Sequence, residues 1–236
     1  AGVPEIIVTT PVAANGSVHP LILAACKELG LTKILKAGGA QAVAALAFGF
    51  KGFDPVDKIV GPGNAYVTEA KRLVFGVVGI DKLAGPSDVT VLADESANPV
   101  RIAQELLAQA EHDPDCEVFL VSTHAPLLDS VQTALTQEIT DLPRRDIIAQ
   151  VLERSAMLLA SSVSEAYQLV NLLAPEHLVL MVQQPRNAVY YVQNAGAMFL
   201  GDHSPVAMGD YMVGPNHVLP TAGTARYAGP LGVADF

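Results

Sequence analysis

The chain has 236 residues, 50% of them hydrophobic and 16% charged, which excludes intrinsic disorder. That length allows one large domain or two modest ones at ~100–200 residues each. Lys and Arg number 14 against 24 Asp and Glu, a net charge of −10 and the wrong sign for a nucleic-acid or anionic-membrane binder.

In chain order, short β-branched runs alternate with stretches of helical period, the signal for βαβ units and a parallel sheet. Strands are expected at Glu5–Thr10, Lys33–Lys36, Lys58–Val60, Val89–Asp94, Glu117–Ser122, Met157–Ser161, Leu178–Val182 and Ala197–Leu200. Helices are expected near 18–29, 40–48, 65–75, 98–112, 126–140, 144–154, 163–173 and 186–195. Most strand runs are apolar throughout, as when helices cover both faces. The pattern predicts an α/β fold of two Rossmann-like parallel-sheet units, 1–86 and 87–222, with a Gly/Pro-rich tail over 223–236. No apolar run reaches the ~18 residues needed to cross a bilayer; Ala40–Phe48 is the best and is too short. So apolar a chain is expected to hide surface in a partner subunit as well as in its own core. Cys26 and Cys116 form neither a CxxC pair nor a disulfide framework, which fits a reducing cytosol. Ala1 runs almost directly into a strand and Phe236 ends without a polar tail, so both ends read as cuts in a longer chain, with the fold incomplete at each.

Standard motifs fail. Gly61-Pro62-Gly63 lacks the third glycine of GxGxxG, and no Walker, GxSxG or HExxH pattern is present. Even so, Gly61 and Gly63 free the backbone at a strand-to-helix turn, Asn64 is a good N-cap, and helix N-termini favour anions such as a pyrophosphate. A plain capped turn explains the same residues. Gln109 and His112 stand three apart at the end of an amphipathic helix stopped by Pro114, a spacing that can grip a metal or simply end a solvated helix. Glu105, one turn before Gln109, is the substitute ligand if one of these is not used. The adjacent Glu176 and His177, read as a βα-type junction, can supply a base and a second acid/base group. Asp210 and His217 add a carboxylate and an imidazole in a Gly/Pro-rich loop.

Taken together these segments resemble the histidinol dehydrogenase family along nearly the whole chain. The resemblance is carried by Gly38-Gly39-Ala40-Gln41-Ala42, by Val56-Asp57-Lys58-Ile59-Val60-Gly61-Pro62-Gly63-Asn64, and by Ala84-Gly85-Pro86-Ser87. It continues through Gln109-Ala110-Glu111-His112-Asp113-Pro114, Pro175-Glu176-His177-Leu178, Gly209-Asp210-Tyr211 and Asn216-His217-Val218-Leu219-Pro220-Thr221.

The family oxidises L-histidinol to L-histidine in two NAD-dependent steps through a bound aldehyde. The resemblance implies that 1–86 binds NAD through Gln41 and Asn64, and that Gln109, His112 and Asp210 hold a Zn2+ ion and, through it, the substrate. It places Ser87 and His177 against the substrate and Glu176 and His177 as the catalytic pair. It further implies a homodimer whose site is completed by the partner chain's C-terminal segment, in the cytoplasm or, in a plant, the plastid stroma. The family's upstream strands and its C-terminal zinc-ligand segment are not among these residues. The sheet of 87–222 is therefore expected to carry an unpaired apolar edge, and these residues alone to turn over histidinol negligibly. A same-scaffold dehydrogenase for another amino- or hydroxy-alcohol, and a non-catalytic fragment, remain open readings.

Overall fold

The computed structural model describes residues 1–211, 213–214 and 216–236, so Pro215 of the Gly214–Pro220 segment lies outside the described residues. The chain forms two compact units, Ala1–Ala84 with Gly232–Phe236, and Gly85–Leu231.

The first unit comprises β1 (Ile7–Thr9), α1 (Pro20–Glu28), β2 (Lys33–Leu35), α2 (Gly39–Phe48), β3 (Lys58–Ile59), α3 (Ala65–Val74) and β4 (Gly79–Ile80). β1 pairs in parallel with β2, and β3 with β4, as two separate two-stranded sheets. One apolar core joins them: Val43, Leu46 and Ala47 of α2 bury against Ile59, Val74 and Val78, with Ile7 and Leu35 packed on the rim. β4 has no signature in the sequence, because two residues beyond Gly76 are too few to show a period. Pro20 opens α1 and Asn64 caps α3, its side chain accepting from Tyr66 and Val67 N–H.

The second unit comprises β5 (Asp88–Ala93), α4 (Pro99–Ala110), β6 (Glu117–Ser122), α5 (Ala125–Glu138), α6 (Arg145–Leu152), β7 (Ala156–Leu159), α7 (Val163–Leu173), β8 (His177–Met181), α8 (Pro185–Ala188) and β9 (Ala197–Leu200). Its five strands are all parallel in the order β7-β6-β5-β8-β9, the doubly wound arrangement, with β5 at the centre. Alternation along β5 assigns the faces. Val89, Val91 and Ala93 pack with α4, α5 and α6, while Leu92 packs with Ala166 and Val170 of α7 and Ala188 of α8. Both faces are covered, which is why β8 from Leu178 is apolar throughout and β5 from Val89 is broken only by the buried Thr90.

Two expectations change. The 186–195 helix reduces to α8 and a single 3-10 turn at Val189–Tyr191. The helix expected over 98–112 stops at Ala110, because Pro114 disfavours helical backbone at Asp113 and Asp113 instead closes a turn onto Asp115 and Cys116. The sheet of the second unit has its own central strand, β5, and carries the expected unpaired apolar edges at β7 and β9, where Leu159, Met198 and Leu200 are exposed. In the first unit β1 and β3 also turn unpaired edges toward a cleft.

Candidate functional site

In a doubly wound sheet, ligands usually sit beyond the carboxyl ends of the strands. The titratable cluster of the second unit lies at the opposite end. Ser87 immediately precedes β5, Glu176 and His177 open β8, and Gln109 occupies the last turn of α4, which runs back toward the amino ends. The Glu176-His177 pair is thus on a helix-to-strand junction rather than the βα-type junction expected.

This junction is tightly held. α7 ends at Ala174 in the left-handed conformation (φ 49°), unusual for a residue with a Cβ, and this turns the chain into Pro175 and the pair. The Glu176 N–H donates to Asp88 Oδ2 at 3.1 Å, and the Glu176 carbonyl accepts from Ala197 N–H at 2.8 Å. The Gly196 N–H bonds the Pro175 carbonyl at 2.9 Å; a Cβ on Gly196 would lie 2.6 Å from the Glu176 carbonyl oxygen, so only glycine fits. The Glu176 carboxylate, 6% exposed, accepts from Ser87 Oγ at 2.5 Å, and Ser87 Oγ in turn accepts from Gln109 Nε2 at 2.9 Å.

Burial dominates the electrostatics. It pushes the Glu176 carboxyl up to about 7, against the opposing pull of the Ser87 hydrogen bond. The neighbouring Asp88 carboxyl is likewise raised to about 7 by burial. Burial lowers the His177 imidazole to about 4, so His177 is neutral at physiological pH. His177 Nδ1 lies 3.1 Å from the Asp88 carbonyl, which can only accept. That assigns the proton to Nδ1 and leaves Nε2 with a free lone pair.

Around this pair stand the remaining polar groups. The His217 ring lies 6.2 Å from that of His177, and its Nδ1 is 2.9 Å from Asp210 Oδ1. Asp210 and His112 are close enough to bias the His177 charge. His112 is exposed beyond the end of α4, its N–H bonded to the Gln109 carbonyl at 3.1 Å, while Gln109 is buried. Glu105 is not a spare ligand: it is buried and accepts from the Val206 N–H at 2.8 Å, anchoring the 3-10 segment Val206–Asp210 that carries Asp210.

For a metal, the donor set of one imidazole, one carboxylate and one amide oxygen suits zinc in kind and has the ligand count of an open site. Among the described residues, no group of three or more His, Cys, Asp or Glu converges to hold an ion, so an ion here would depend on the Gln109 amide beside His112 and Asp210. For a dinucleotide, the first unit offers a cavity of about 1160 Å³, walled by the Gly38-Gly39 and Gly61–Asn64 turns at the carboxyl ends of β2 and β3. Its two glycine turns at the strand ends fit the phosphates of such a ligand, while the rest of its wall includes the edges of β1 and β3 and the end residues Ala1 and Phe236. Asn64 is on the cavity wall; Gln41 lies on the exposed side of the first turn of α2 and is not.

Asp88, Gly196 and the supporting role of Glu105 escaped sequence reasoning. Each acts through a partner about 90 to 100 positions away or through a close backbone approach, and no local spacing encodes that.

A family model described as histidinol dehydrogenase matches residues 1–236. Histidinol dehydrogenase of Thermus thermophilus is 51% identical over the whole chain, which spans 56% of that relative; the Bacillus subtilis enzyme is 49% identical, with the chain again spanning 56%. The crystal structure of histidinol dehydrogenase from Elizabethkingia anophelis superposes with a TM-score of 0.96 at 40% identity, covering all of this chain and 55% of that one. The chain therefore spans about half the length of the relatives it matches.

Proposed function

This chain belongs to the histidinol dehydrogenase family, and from that premise we propose that it is the central part of an enzyme oxidising L-histidinol to L-histidine in two NAD-linked steps through a bound aldehyde. The observation that carries the reading is the buried Glu176-His177 pair, one member a neutral imidazole and the other a carboxyl poised near neutrality. A general base works best when it is unprotonated and its conjugate acid titrates near the working pH; Glu176, at about 7, meets the second condition, and His177, at about 4, meets the first.

His177 takes the alcohol proton on Nε2, its ring oriented by the bond from Nδ1 to the Asp88 carbonyl. Glu176 then accepts a proton from water as the water attacks the aldehyde, giving the hydrate that the second oxidation consumes. The Ser87 hydroxyl holds the Glu176 carboxylate in one orientation, and Gln109 holds that hydroxyl. Burial of both side chains limits the pair to the substrate and the one water that Glu176 activates, and the aldehyde stays bound between the two oxidations.

NAD, when bound, accepts the hydride in each oxidation; Asn64 and the Gly61–Gly63 turn would hold it in the first unit, with Gln41 at the outer rim. Zinc, when bound, supplies a fixed anchor for the substrate's amine and imidazole nitrogens. Gln109, His112 and Asp210 would hold it, together with a ligand from the partner subunit of a homodimer.

The test separates the two oxidations. In the protein at its full natural length, Glu176→Gln should slow NADH formation from the aldehyde far more than from the alcohol, since only the aldehyde step needs activated water. Equal losses in both would sink this division of roles.

A further inference from the structure

The first unit buries one full ion pair. Lys71 of α3 and Asp81, just after β4, have side chains 3% and 1% exposed and are salt-bridged to one another. Both also grip a single residue. Lys71 Nζ donates to the Gly61 carbonyl at 2.9 Å, and Asp81 Oδ2 accepts from the Gly61 N–H at 2.7 Å. Asp81 Oδ1 takes the Lys82 N–H at 2.6 Å as well. Gly61 itself has φ +125°, a conformation that side chains disfavour.

We propose that the Lys71–Asp81 pair positions the Gly61–Asn64 turn for the dinucleotide. This rests on the reading that the first unit holds NAD. Stability alone does not account for the pair, because burying two charges gains little over an apolar pair of the same shape. What the pair supplies, and an apolar one cannot, is a donor and an acceptor aimed at the two polar ends of one residue. Downstream the turn is fixed by contact. A Cβ on Gly63 would stand 2.5 Å from Val67, and Asn64 is tied to the Tyr66 and Val67 N–H groups at 3.1 and 3.2 Å. Clamped at Gly61 and wedged at Gly63, the turn presents Asn64 and the cavity wall in one arrangement before any ligand arrives. Lys71 is not the phosphate contact: its ammonium is buried and already shared between Asp81 and Gly61.

Two variants of the protein at its full natural length test this. Lys71→Met/Asp81→Asn removes both charges together, leaving no buried ion without its partner. Gly61→Ala leaves the pair intact and disturbs only the backbone, since a Cβ there meets nothing within 4 Å. For each, NAD+ binding measured by calorimetry without substrate should weaken about tenfold or more. For the double variant the KM for NAD+ should rise in step while kcat at saturation changes less than about twofold, as for loss of binding common to ground and transition states. Amide exchange of residues 61–67 should quicken without ligand. If the double variant does not fold, Asp81→Asn takes its place, keeping the shape of the pair while weakening its hold on the Gly61 N–H. Unchanged NAD+ affinity in a folded variant overturns the inference and leaves the functional reading standing. Failure of the unsubstituted protein to bind NAD+ overturns both.

Discussion

Replacing Glu176 by Gln should stabilise the protein, and only above a certain pH. The Glu176 carboxyl has an ordinary value of 4.5 in an unfolded chain, and burial raises it to about 7 in the folded one. Between these values the unfolded state has lost its proton while the folded state keeps it, so stability falls as pH rises through that window and levels off above it. The difference corresponds to about 3 kcal/mol. Gln has nearly the same shape, can still accept from Ser87 Oγ, and does not titrate, so the variant escapes the loss. Its stability advantage should be near zero at pH 4, grow from pH 4.5 to 7, and reach about 3 kcal/mol above pH 8. Denaturant unfolding of both proteins at pH 4, 6 and 8.5 reads this directly. A pH-independent gap would mean that burial of the charge is not what raises the Glu176 carboxyl. A loss of stability that grows with pH would mean that the ionised carboxylate holds the junction together. Gain of stability with loss of aldehyde oxidation is the signature of a strained catalytic group.

Ser87→Ala removes the hydrogen bond that holds the Glu176 carboxyl down, so the rise of aldehyde oxidation with pH should move to higher pH; an unmoved profile would refute the contact. His112→Ala or Asp210→Ala should lose zinc and turnover together, and normal zinc content by metal analysis would refute their assignment as ligands. Gly196→Ala forces a methyl against the Glu176 carbonyl and should cost about 1–3 kcal/mol with a fall in turnover. A thermal melt and an NADH assay both unchanged would show that β9 does not lock the pair.

Much of this protein is written locally. Alternation of β-branched runs with 3.6-period stretches specifies parallel strands and crossover helices, because each element must bury its own apolar face whatever its neighbours are. Asn64 before a helical run specifies a cap, because the unmet N–H groups lie within three residues of it. The order of short motifs from Gly38 to Thr221 likewise carried the family, and with it the candidate residues. What tertiary structure decided is where those residues meet and what state they are in. Glu176 and His177 are ordinary in sequence; a carboxyl near 7 and an imidazole near 4 arise from desolvation by a sheet assembled from distant segments. Asp88 holds the Glu176 backbone across 88 positions, Glu105 anchors the Asp210 segment across 101, and Ser87 meets Glu176 because the strand order makes β5 and β8 parallel neighbours. Burial and long-range hydrogen bonding are properties of the packed sheet, so no window of the chain contains them.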